Sequence, residues 1–385
     1  MGGAFAAISD DPSGIFHNPA GIVFSMESYF SLTANAYSFS NEKFKDIVPG
    51  KDYTYRSQGL IPTFFGLTQT VGKNKFGLAI VVPNSDLIDQ DDSLEGISTE
   101  SGSASTLRRR FFRQNTTYLV GPAWAREIGK NLTVGVSLFG FFRTDRAIDN
   151  QWVLFNPLPT GQYLVANTYL SRQSMGLIPK VGLQYMPLEK WALGLTADVP
   201  VNLSGSSKLV VLGSKATAGK PVLNTGNFEN DMQSRTAEDN FSDVPDPIHV
   251  TLGNAYFFTK KSLISLDVDY YSAALRFNGH STVAMVNIAV GAEHYLADSI
   301  ALRGGFYTNN AATPGIENGQ TNQSPHVNVY NGTLGLSFYR PGSSLTLSSS
   351  YGVGVGKGQA IGDSTAVQKL ERSELTFFVS GGYQL

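Results

Sequence analysis

The chain of 385 residues contains no cysteine. Disulfides, thiol nucleophiles and cysteine-based metal sites are excluded together. Long apolar runs are absent too: no stretch approaches the roughly 18 consecutive apolar residues that a spanning helix needs. Charged residues make up only 16% of the chain, against roughly 25% in soluble domains. A net charge of -2 and a pI near 6.2 argue against the basic surface of a nucleic-acid binder. Five histidines (His17, His249, His280, His294 and His326) form no HExxH and no i,i+4 pair. Neither GxSxG nor a Walker sequence occurs. No enzymatic activity, cofactor or metal is expected.

What the chain does have is alternation. Mean hydropathy is near zero, at -0.09, as it would be if lumen-facing polar residues alternated with lipid-facing apolar ones. Leu375, Phe377, Val379, Tyr383 and Leu385 share one face, with Thr376, Ser380 and Gln384 on the other. Leu132, Val134, Val136 and Leu138 alternate with Thr133, Gly135 and Ser137, and Ile264, Leu266, Val268 and Tyr270 with Ser265, Asp267 and Asp269. Val286, Ile288, Val290 and Ala292 alternate with Asn287, Gly291 and Glu293. A soluble sandwich shows one or two such strands; a run of them along the whole chain points to a membrane barrel. The 40 glycines and the 11% aromatic share suit curved strands and interfacial girdles.

Segments of about ten residues cross a bilayer at barrel tilt. On that scale strands are expected near 28–39, 57–70, 75–83, 109–124, 132–143, 171–186, 191–200, 247–258, 263–272, 282–296, 300–307, 326–339, 344–353 and 372–385. The expected fold is all-β, an antiparallel transmembrane barrel of fourteen strands, with the last strand closing on the first. Short turns fall near 71–74, 125–131, 187–190, 260–262, 297–299 and 341–343. Long polar connections fall near 40–56, 84–107, 144–169, 201–245, 308–325 and 354–370, with a shorter one near 272–281. An even count places both termini on the short-turn side, which is periplasmic, with the long loops extracellular. The opening Met1-Gly2-Gly3-Ala4 lacks the basic and apolar regions of a signal peptide, so residue 1 is read as a mature or trimmed start.

Residues 1–26 do not alternate. Gly2, Gly3, Ala4, Asp10, Asp11, Pro12, Ser13, Asn18, Pro19, Ala20 and Gly21 match a "GGA…ADDPS…NPAGL" pattern. In this the chain resembles the FadL superfamily of outer-membrane barrels, which includes PorV-like proteins. The resemblance implies a fourteen-stranded barrel (27–385) whose lumen is closed by a hatch (1–26). Small residues would let compact turns fit a lumen, and Asn18-Pro19 favours a turn or extended link. Asp10 and Asp11 could cap a turn or pair with lumen arginines, and Asn18, Pro19 and Ala20 would anchor the segment. The resemblance also implies a kink in the third strand that opens a lateral gap. Pro83 stands at a suitable place, though Pro62 and Pro179 also fall in expected strands.

The polar side of the strands nominates Arg113, Arg143, Asp267, Asp269, Glu293 and Arg303 as lumen charges. Their mixed signs suggest a salt-bridge network bracing barrel and hatch. Phe139, Phe141, Phe257, Tyr271, Tyr295 and Tyr307 fall on the same side, where they could line a pocket for a hydrophobic ligand or pack on the hatch. The basic run Arg108–Arg113 is expected to pair with Asp86, Asp89, Asp91, Asp92 and Glu95, or to contact lipid headgroups or lipopolysaccharide. Passive uptake of hydrophobic small molecules, fatty acids or hydrocarbons, is the leading function. The alternatives are a PorV-like accessory of a protein-secretion system that binds protein cargo, and a surface barrel with adhesive loops.

Overall fold

The computed structural model describes residues 1–48, 50–99, 102–156, 163–216, 232–241, 246–275, 281–321, 323–360 and 365–384. Its strands are β1 (Ser28–Val48), β2 (Lys51–Val71), β3 (Asn74–Thr99), β4 (Gly102–Glu127), β5 (Leu132–Asn156), β6 (Tyr163–Leu188), β7 (Trp191–Asp198), β8 (Val201–Ala216) and β9 (Met232–Phe241). There follow β10 (His249–Thr259), β11 (Ser262–Tyr271), β12 (Ala274–Leu275), β13 (Ser281–Thr282), β14 (Met285–Ala297), β15 (Ile300–Asn309), β16 (His326–Arg340), β17 (Ser343–Gly358) and β18 (Gln368–Gln384).

Fourteen of these close a ring in the order β1-β2-β3-β4-β5-β6-β7-β10-β11-β14-β15-β16-β17-β18. Closure is by β18 against β1, from Tyr29 opposite Gln384 to Phe44 opposite Leu370. That is the pairing expected of 372–385 with 28–39, although Leu385 itself lies outside the described residues. Closure leaves no free edge whose N–H and C=O groups would face lipid unpaired. β8 continues the line of β7 beyond Val199-Pro200, stays paired with β6, and takes β9 on its other side. β12 and β13 form a separate two-strand ribbon.

The inward and outward faces follow the alternation. Leu266, Ile288, Val136, Leu138 and Phe377 are exposed on the outside, while Ser265, Asp267, Thr133, Ser137 and Glu293 are buried. Each outward Leu or Phe gains roughly 1.5–3 kcal/mol when lipid covers it. Aromatic residues flank this band: Phe76, Tyr185, Trp191, Tyr256 and Phe338 toward the short turns, and Tyr118, Phe142, Tyr270, Tyr330 and Tyr351 about ten residues further along the strands. Two such girdles mark the interfaces of a membrane-spanning barrel. Among the described residues no helix is long and apolar enough to cross a membrane.

The short turns lie where alternation ended. Val71 pairs with Asn74 across Gly72-Lys73, and Arg340 with Ser343 across Pro341-Gly342. Gly342 adopts φ +73°, the left-handed conformation that a Pro-Gly turn requires. The long connections are different from expectation. Most of 40–56, 84–107 and 144–169 is strand, so β1 to β6 reach 21–26 residues each. Segment 201–245 contains β8 and β9, and 354–370 holds the ends of β17 and β18. The reason is physical. Lipid imposes hydrophobic alternation only across the bilayer; beyond it both faces meet water, the pattern fades, and the hydrogen-bond ladder continues.

Candidate functional site

Residues 1–27 run through the lumen and are held by the barrel wall. Asp11 begins the first 3-10 turn (Pro12–Ile15), its carboxylate accepting the Ser13 N–H at 2.7 Å. Capping therefore falls to Asp11. Asp10 makes no ion pair among the described residues, and enclosure, with Asp11 beside it, raises its pKa to about 7. Asn18 begins the second 3-10 turn (Pro19–Phe24), its Oδ1 accepting the Ala20 N–H at 3.1 Å. Its Nδ2 donates to Ala6 O (2.7 Å) and Leu183 O (3.0 Å), tying one end of the hatch to the other and both to β6. Asn18, Pro19 and Ala20 are buried.

The wall supplies the remaining bonds. Asp267 Oδ2 accepts the N–H groups of Phe5 (2.7 Å) and Ala6 (2.8 Å). Gln184 donates to Ala7 O, Ser265 to Ala4 O, Lys180 to Phe16 O and Lys75 to Ser25 O, all at 2.8–2.9 Å. Glycine lets the backbones meet this closely. A Cβ at Gly135, Gly182 or Gly194 would collide with Pro19, with Asn18 Oδ1 or with Ala6 O. These glycines face the lumen, so they make room for the hatch as well as for curvature.

Between the hatch and the wall lies a cavity of about 270 Å³. One side is apolar: Phe16 of the hatch with Leu119, Phe139 and Ile178. The other is polar and comes from a single row across four strands. Lys180 pairs in register with Asp198, Asp198 with His249, and His249 with Tyr271. Asp198 Oδ2 meets Lys180 Nζ and His249 Nδ1, each at 3.0 Å. Asp269 Oδ1 meets His249 Nε2 (3.0 Å) and accepts from Thr251 Oγ1 (2.6 Å). Tyr271 stacks on His249 at 4.2 Å. His17 borders the same cavity, where enclosure and the Lys180 ammonium hold its imidazole well below the usual range.

The cavity's apolar side joins a cluster of Ile15 and Ile22 from the hatch with Phe64, Val81, Leu119, Phe139 and Phe141. Behind it the ladder of the wall is interrupted. The β2–β3 ladder runs from Val71 opposite Asn74 to Phe64 opposite Val81, then resumes only at Ser57 opposite Ile88. β3 also carries a bulge against β4 between Val81 and Asn84. Pro83 sits in both interruptions. It has no N–H to give to either neighbour. Thus β3 does not end at Pro83, as expected, but breaks there and continues to Thr99. Above the break Gln90 bridges the strands, accepting from Arg56 N (3.1 Å) and donating to Thr54 O (2.7 Å).

Further out, the long strands fold an aromatic cluster over the lumen: Phe44, Tyr53, Tyr55, Val329 and Leu370, with Phe111 alongside. Arg109 is buried there, 5.2–5.4 Å from the rings of Tyr53, Tyr55 and Phe111, and forks onto Asp149. The basic run thus divides. Arg109 points in, and Arg110 points out to Asp89 at 2.8 Å.

The lumen candidates separate by height. Phe139 and Tyr271 border the cavity and Phe141 the adjoining cluster. Phe257 instead packs beside Ala7 and Ile8, Tyr295 stacks on Tyr339, and Tyr307 reaches Ser350. Alternation identifies the inward face but not the height, and the hatch fills the lower lumen. The charges form separate groups rather than one network. Asp267 holds the hatch, Glu293 pairs with Arg303, Arg143 with Asp246, and Asp269 with His249. Arg113 makes no ion pair among the described residues. Sequence reasoning missed Lys180, Asp198, His249 and Thr251, and took Arg109 only as part of the basic run. Strand parity marks all of them as inward, but only the register brings the first four together.

Several solved structures share this architecture at low identity. A FadL homologue of Pseudomonas aeruginosa superposes with a TM-score of 0.64 at 14% identity, over 99% of this chain and 96% of its own. The toluene transporter TbuX of Ralstonia pickettii gives 0.63 at 13%, over 100% and 96%. The toluene transporter TodX of Pseudomonas putida gives 0.62 at 14%, over 100% and 98%. No protein-family model and no curated protein matches the sequence. A closed ring of fourteen strands, a hatch inside it and superposition along nearly the whole chain lead to one conclusion: this protein has the fold of the FadL and TodX transporters.

Proposed function

We propose that the protein is a passive outer-membrane channel that takes hydrophobic small molecules into its lumen and releases them sideways into the bilayer. The short turns and both termini would be periplasmic, and the long strands extracellular. Lipopolysaccharide makes the outer leaflet a poor path for apolar solutes, and a barrel that receives them and opens below that layer bypasses it. The observation that carries this reading is the break in the β2–β3 ladder directly behind the Phe64/Val81/Phe139 cluster. The apolar side of the cavity, Leu119 and Phe139, belongs to the same cluster as Phe64 and Val81 at that break. The names of TbuX and TodX, both toluene transporters, support the same direction. Size favours single-ring compounds over long acyl chains, since a cavity of about 150 Å³ already holds benzene and this one measures about 270 Å³.

The test is to lock the gap. A continuous ladder would place Gly59 opposite Asp86 and Gln58 opposite Leu87. Cysteines at 59 and 86, joined by a short reducible cross-linker, should abolish cellular uptake of labelled toluene, and reduction should restore it. Uptake that is indifferent to the lock refutes the lateral route. Uptake equal to that of a strain lacking the protein refutes the channel.

A further inference from the structure

The cavity is not uniformly greasy, and what its polar side lacks is informative. Asp198, Asp267 and Asp269 all border it. Each has one oxygen engaged; Asp267 Oδ1 is buried without a hydrogen-bond partner, and Asp198 Oδ1 and Asp269 Oδ2 make no side-chain hydrogen bond, among the described residues. Asp267 is only 3% exposed, so bulk water does not readily serve its free oxygen. The ammonium of Lys180 is already committed to Phe16 O at 2.8 Å and Asp198 at 3.0 Å. His249 is committed to Asp198 and Asp269. The lining's cationic side chains are thus already paired with protein acceptors, and anionic acceptors remain. A buried carboxylate oxygen without a donor is costly, and a donor supplied by a ligand removes that cost.

We infer that the cavity selects a single-ring aromatic carrying a hydrogen-bond donor, a hydroxyl or an amino group, over the bare hydrocarbon and over a carboxylate. The inference rests on the channel reading above and narrows its substrate. The ring lies against Phe16, Leu119, Phe139 and Ile178, and the donor points across the cavity at Asp269 and Asp267. About 270 Å³ leaves room for a substituted ring, given that about 150 Å³ suffices for benzene. A carboxylate in the donor's place would face three carboxylates with the one lysine already occupied.

The experiment measures binding of three ligands of similar size, p-cresol, toluene and benzoate, to the full chain in nanodiscs by equilibrium dialysis, with empty nanodiscs subtracted. p-Cresol should bind roughly tenfold or more tighter than toluene, the range of one hydrogen bond to a charged acceptor, and benzoate most weakly. In Asp269→Asn the amide oxygen can keep the bonds from His249 and Thr251 while the NH₂ group replaces the free acceptor. The cresol preference should shrink toward parity there, and in Asp267→Asn as an independent variant. Equal wild-type affinity for cresol and toluene overturns the inference and leaves the channel standing. So does a preference that persists in both variants. Binding of none of the three overturns both readings.

Discussion

Replacing Asn18 with alanine should undock the hatch and spare the barrel. Asn18 is fully buried, and its side chain makes three hydrogen bonds, to Ala6 O, Leu183 O and the Ala20 N–H. Truncation leaves these groups facing a small void. Each deserted buried group costs about 1–3 kcal/mol, and loss of the cap alone about 1 kcal/mol. A total of about 3–5 kcal/mol comes off hatch docking. The fourteen-strand ladder uses no hatch residue, so heat-modifiable mobility on gels should not change. Amide exchange in residues 5–22, followed by mass spectrometry, should accelerate roughly a hundredfold to several thousandfold, while exchange in β14 to β18 stays slow. Adding Pro19→Gly, which frees the fixed φ at the start of the turn, should deepen the effect and alter uptake. Unchanged hatch exchange would refute the anchor. So would simultaneous loss of barrel protection, because it would mean that hatch and barrel unfold as one unit.

Gly194→Val should push the hatch away from β7 at Ala6 and raise the ion conductance of the barrel in planar bilayers; unchanged conductance means that the hatch finds room elsewhere. Leu266→Arg should cost about 2–4 kcal/mol in urea titrations of folding into vesicles, because the side chain faces lipid near the middle of β11. Asp267→Asn, one residue along and facing the lumen, should leave membrane insertion intact, and equal penalties would show that the two faces are misassigned. His17 has an ordinary pKa of 6.5 that is lowered to about 4. The native hatch therefore favours neutral imidazole: its contribution is complete above pH 6.5 and is lost as pH falls toward 4. Asp10, raised to about 7, acts in the opposite sense. The readout is thus the difference in hatch exchange between wild type and His17→Phe, which should be greatest near pH 4; a pH-independent difference would refute the burial argument.

Much of the architecture was legible because lipid writes it into the chain. Period-2 alternation at Leu132–Leu138, Ile264–Tyr270 and Val286–Ala292 gives strand, face and approximate position in the bilayer, and the count and closure of the ring follow. The hatch stood out by the opposite sign, a non-alternating stretch rich in small residues and turn formers. What the sequence could not show is height. A strand's side chains repeat every two residues, so alternation separates in from out, but the level at which two strands meet depends on turn lengths and bulges summed around the ring. That register sets Lys180, Asp198, His249 and Tyr271 in one row, although 91 residues separate the first from the last. It also puts Phe257 beside the hatch, one of its two expected placements, and leaves Tyr295 and Tyr307 away from the cavity. The break behind Phe64 and Val81 is a tertiary outcome as well. Pro62, Pro83 and Pro179 all lie within strands, yet Pro62 and Pro83 both stand where a bulge on one side coincides with the missing β2–β3 ladder on the other, whereas Pro179 pairs in unbroken register with Leu138.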